Sequence, residues 1–212
     1  MRCGATRAAS SGLHADCLVV GAGPAGISAV GWLLAAKRSV VWVDGGNFEG
    51  GKLAAYRDVP ANTKVDVLAQ MGGHDFLPFG LPEQAMAKLR HMHETATPLQ
   101  GITPPDPANV GWTGLDQCHD FYRELARAFL DGSARGYNGS LQAIAGRCLE
   151  IRKAGEAGGD QAGGQWRARI HIAGGSSEEL LSASSVVLAT GAPPINPPVG
   201  MLPSAWAAPS AR

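Results

Sequence analysis

Asp16-Cys17-Leu18-Val19-Val20-Gly21-Ala22-Gly23-Pro24-Ala25-Gly26 is an apolar run that stops at a glycine turn and leads straight into helix-forming sequence. A short, almost wholly apolar run bounded this way reads as a parallel strand covered on both faces. Ile27 to Ala36 follows, apolar nearly all round with small Ala-rich faces, which predicts a helix packed close against a sheet. Ser39-Val40-Val41-Trp42-Val43-Asp44 is a second apolar run, ending in an acid. Strand, helix and strand in about thirty residues match the length of a βαβ unit.

Within that unit Gly21 to Gly26 reads GxGxxG, directly after a strand and directly before a helix, the context that gives the motif meaning. Gly21 permits the tight turn, Gly23 lets the backbone approach a pyrophosphate, and Gly26 lets the helix pack on the strand. The helix start then offers N–H groups and a positive dipole end to phosphates. Asp44, about twenty residues on, places a carboxylate where ribose hydroxyls would lie. A free carboxylate there disfavours a 2′-phosphate. The expectation is a Rossmann-like α/β domain holding the ADP half of a dinucleotide, and the motif leaves both FAD and NAD open.

Outward from this unit, residues 45 to 63 read as a long loop punctuated by Gly45, Gly46, Gly50, Gly51 and Pro60. Helices are expected from about Pro82 to Glu94 and from Leu115 to Leu130, the second with Phe121, Leu125, Phe129 and Leu130 as its apolar stripe. Thr103-Pro104-Pro105-Asp106-Pro107 breaks the chain between them. Short strands follow at Leu149 to Arg152, Trp166 to Ala173 and Leu180 to Leu181, separated by Gly-rich turns such as Gly155 to Gly164, which reads as a β-meander. Ser185 to Gly191 then repeats the first-strand pattern. Residues 1–15 read as a flexible segment, 16–196 as one three-layer domain, and 197–212 as a Pro/Ala-rich disordered tail.

Composition narrows the partners. Lys plus Arg equals Asp plus Glu at 18 each in 212 residues, so no net charge favours nucleic acid or an anionic membrane. No stretch approaches the roughly 18 consecutive apolar residues of a membrane span. The opening segment lacks the apolar core of a secretory signal; a cytoplasmic location is expected, with an organellar transit segment left open by Arg2, Arg7 and the absence of acids. Cys3, Cys17, Cys118 and Cys148 are scattered without CxxC or metal-ligand spacing and read as buried or incidental thiols. His74, His91, His93 and His119 are acid/base candidates by type alone and read as surface residues; no metal site and no catalytic residue is assigned.

Gly-Ala-Gly-Pro-Ala-Gly, with Pro24 and Ala25 inside it, resembles the first nucleotide motif of the two-dinucleotide flavoproteins, the thioredoxin-reductase-like and related pyridine-nucleotide oxidoreductases. Gly50-Gly51-Lys52-Leu53, followed by Asp58 to Asn62, resembles the loop in which such proteins set a Gly-Gly-x-Leu segment and then an Asn against the flavin and its ribityl chain. Val187-Leu188-Ala189-Thr190-Gly191-Ala192, after a meander, resembles their Ala-Thr-Gly segment. The resemblance spans residues 16 to 196 and implies a flavoprotein oxidoreductase: FAD as cofactor, NAD(P)H as a second dinucleotide, and hydride transfer through flavin to an unassigned acceptor. It also implies cofactor-binding roles for Gly21, Gly23, Pro24, Ala25, Gly26, Asp44, Gly50, Gly51, Lys52, Leu53, Asn62, Ala189, Thr190 and Gly191.

The chain departs from that pattern in two respects. A second GxGxxG and a late Gly-Asp pair near the flavin are missing, so the domain reads as incomplete, and Gly159-Asp160 sits too early to take the second role. The absent CxxC removes disulfide-reductase chemistry. A non-catalytic nucleotide-binding fragment and an NAD-dependent dehydrogenase stand as alternatives.

Overall fold

The computed structural model describes residues 13–46, 48–56, 60–65, 76–95, 112–154, 165–175 and 177–191. Residues 1–12, the 197–212 tail, His74, the Pro104 break, the 155–164 turn with Gly159-Asp160, and Asp58 lie outside the described residues. Strand β1 (Leu13–Val20), helix α1 (Pro24–Ala35) and β2 (Ser39–Asp44) form the expected opening unit, with β1 starting three residues before Asp16. A 3-10 turn (Gly51–Tyr56) and β3 (Pro60–Lys64) follow, then α2 (Glu83–Thr95), β4 (Trp112–Gly114), α3 (Leu115–Leu130), β5 (Ser140–Lys153), β6 (Trp166–Ile172) and β7 (Glu178–Leu188).

β1 pairs in parallel with β2 on one side and with β7 on the other. β2 in turn pairs in parallel with the first half of β5, from Ser140 opposite Ser39 to Ala145 opposite Asp44. From Gly146 to Lys153 the same strand pairs antiparallel with β6. β6 pairs antiparallel with β7 over Glu178 to Ala183, and β7 pairs with β1 from Leu181 to Leu188. The five strands therefore close on themselves in the order β1-β2-β5-β6-β7, while β3 and β4 form a separate antiparallel pair.

The alternation of β1 and β2 explains this arrangement. Cys17, Val19, Val40 and Trp42 face a core shared with Ile27, Val30 and Leu34 of α1 and Phe121, Leu125 and Phe129 of α3. Leu18, Val20, Val41 and Val43 face a second core with Ile144, Ala168, Ile170, Leu181 and Ala183. Both faces of the parallel strands are thus covered, which is why their sequence is apolar throughout.

Several boundaries differ from the sequence reading. The segments at Leu180 and Ser185 are one strand, because β7 passes from one partner to another without a turn, and β5 starts at Ser140, well before Leu149, for the same reason. The 45–63 loop contains a 3-10 turn and most of β3. Leu130 is 40% exposed rather than part of the α3 stripe, since one residue beyond Phe129 rotates it off the buried face.

β1 and β2 are also tied near their starts. The Ser39 N–H and hydroxyl donate to the Asp16 carboxylate at 2.8 and 2.9 Å, and the Asp16 N–H donates to the Ser39 hydroxyl at 2.8 Å. These bonds hold the Asp16 carboxyl below its ordinary value. A lowered folded-state value stabilises the fold above the unfolded carboxylate range, and that contribution disappears as pH falls through the folded value. Urea denaturation of Ser39→Ala should therefore show a stability deficit at neutral pH that narrows as the solution is acidified below that range.

Candidate functional site

The ends of β1, β2 and β7, together with the middle of β5, open on a cleft of about 950 Å³. It is lined by Gly21, Gly23, Pro24, Ala25, Asp44, Gly50, Gly51, Lys52, Leu53, Ala189, Thr190 and Gly191, so twelve of the fourteen residues singled out in the sequence converge there. Gly26 lies beneath the turn, and Asn62 lies on β3 with its side chain outside the described residues.

Different forces select the glycines of the turn. Gly21 has φ +106°, and a Cβ there would clash with the Ala189 carbonyl oxygen. Its N–H donates to the Val43 carbonyl at 2.8 Å and its own carbonyl accepts from the Trp42 indole at 3.0 Å, which fixes the turn against β2. A Cβ on Gly26 would clash with the Gly21 carbonyl oxygen, so helix and turn touch through backbone. Gly23 is different: its φ is −76°, and a Cβ there would meet nothing within 4 Å. Neither backbone strain nor protein packing requires glycine at this position; the space beside it belongs to the cleft.

Gly23 is also the N-cap of α1, with Pro24 in the first turn and no side chain capping it. Proline suits that position because its missing N–H would be unpaired in any case. The remaining first-turn N–H groups are available to an anion, with the helix dipole behind them. Gly51 packs over this turn, since a Cβ on it would lie 2.9 Å from the Gly23 Cα.

Asp44 is not the free carboxylate that the sequence suggests. Its Oδ1 accepts the Ala22 N–H at 2.9 Å, and its Oδ2 accepts those of Gly46 at 2.8 Å and Phe48 at 3.0 Å. It is buried, and it ties the glycine turn to the loop after β2. A carboxylate offers about four lone-pair sites, so capacity for one further donor remains.

Gly45, Gly46, Gly146, Arg147 and Cys148 also line the cleft and carried no sequence signal for it. The last three arrive because β5 continues past the end of β2. Burial raises the Cys148 thiol above its ordinary value, and pushes Cys118 up to about 11, so both favour the protonated thiol. His91 and His93 are exposed, whereas His119 is buried on α3, contrary to its reading as a surface residue; the apolar packing of α3 takes it inward along with Phe121 and Cys118. Among the described residues there is no cluster of metal-ligating side chains and no helix long and apolar enough to cross a membrane.

No family model and no curated protein matches the chain. Solved structures do. An oxidised steroid monooxygenase bound to NADP is 15% identical, with a TM-score of 0.53 over 84% of this chain and 26% of that one. A cyclohexanone monooxygenase from Rhodococcus sp. Phi1 bound to NADP+ is 15% identical, with a TM-score of 0.52 over 85% of this chain and 26% of that one. An open form of cyclohexanone monooxygenase gives 15% identity and a TM-score of 0.50, over 84% and 27% respectively. The likeness is one of fold, and the chain spans about a quarter of the length of each of these proteins.

Proposed function

We propose that the chain is the FAD-binding domain of an oxidoreductase. The observation that carries this reading is Gly23, a residue whose lack of a side chain serves only the cleft, at the uncapped start of α1. The pyrophosphate would lie against Gly21 to Gly26 and Gly51, with Lys52 supplying positive charge. Asp44 would take a ribose hydroxyl on its remaining lone pair. Gly50, Leu53, Asn62 and Ala189 to Gly191 would border the flavin side.

The reaction proposed is hydride transfer from NAD(P)H, by way of flavin, to an acceptor; two of the monooxygenases sharing the fold are bound to NADP, which supports a nicotinamide donor. When bound, the isoalloxazine supplies the redox chemistry, and the protein supplies binding and orientation. Mixing the FAD-loaded full chain anaerobically with NADH or NADPH should bleach the flavin absorbance. The alternative outcome is nucleotide binding without catalysis. Bound flavin that neither nucleotide reduces would select it.

A further inference from the structure

We propose that the Arg147 guanidinium lies over the face of the adenine base and adds to the affinity of the cleft for the nucleotide. This rests on the FAD reading above. Asp44 pairs with Ala145, so Gly146, Arg147 and Cys148 continue beyond the end of β2 and wall the cleft on the far side of Asp44 from the glycine turn. Neighbouring strands lie about 4.8 Å apart, which puts β5 roughly 10 Å from the β1 turn. A nucleotide with its pyrophosphate over Gly21 to Gly26 and its ribose at Asp44 therefore directs its base toward β5.

The side chains there suit a flat aromatic ring. A Cβ on Gly146 would clash with the His171 carbonyl oxygen of β6, so glycine there serves the sheet, and Arg147 beside it is exposed in the cleft with no hydrogen-bond or ion-pair partner among the described residues. Asp44 does not engage it, because the carboxylate is turned to the N–H groups of Ala22, Gly46 and Phe48. A planar guanidinium stacks on aromatic faces, whereas an ammonium acts as a compact point charge.

Calorimetric titration of the full chain with ADP and with FAD tests this. Arg147→Ala should weaken both nucleotides by a similar factor, about 5- to 30-fold, and Arg147→Lys should not restore the affinity. Unchanged affinity in Arg147→Ala, with FAD still bound by the parent chain, overturns this inference alone. Full recovery in Arg147→Lys also overturns it, in favour of a charge contact to phosphate. A parent chain that binds neither ADP nor FAD overturns the FAD reading and this inference with it. Circular dichroism of each variant checks that the fold is retained, as expected for an exposed side chain.

Discussion

Gly23→Val should reduce FAD affinity by about 100-fold or more, the equivalent of roughly 3 kcal/mol of steric cost, while leaving the protein folded. Its φ of −76° is open to any residue, and the added Cβ would meet no protein atom within 4 Å. Replacing glycine at a helix N-cap with an apolar residue costs about 1 kcal/mol at most here. Isothermal titration together with a thermal melt separates the two effects. Lost binding with a nearly unchanged melt supports a ligand in that space; retained binding removes the site assignment.

Asp44→Ala should act in the opposite way, on the fold first. Three backbone N–H groups lose a charged acceptor, and bonds to charged groups each contribute about 1.5 to 3 kcal/mol. Because the loop after β2 can relax toward water, a net loss of about 3 kcal/mol is expected, which lowers the melting temperature by roughly 6 to 12 °C. Asp44→Asn should recover only part of this, since its amide nitrogen cannot accept a bond on the side it replaces. A melting temperature unchanged in Asp44→Ala would show that those three bonds contribute nothing net.

The contrast between these positions shows where the sequence was informative. β1, β2 and α3 follow from apolar runs and a 3.6-residue period, signals that depend on burial by neighbours whatever their identity. The turn from Gly21 to Gly26 is legible because Gly21 and Gly26 answer local steric demands of the protein and Gly23 leaves open the space of the cleft. Asp44 was legible as a residue at a strand end and not as a bonded one, because its partners at Gly46 and Phe48 belong to a loop whose path no local pattern specifies. β5 and β7 are longer than the sequence pattern predicts, since a strand that exchanges a parallel partner for an antiparallel one has no break in its sequence. Arg147 reaches the cleft only through that continuation, so its place depends on the closure of the sheet rather than on any motif.

Occupation of this cleft by FAD is tested most directly by the absorbance spectrum of the purified full chain after incubation with FAD and desalting. A flavin spectrum retained in proportion to protein is the predicted result. A colourless protein that binds NAD in preference to FAD, or that binds neither, would contradict it.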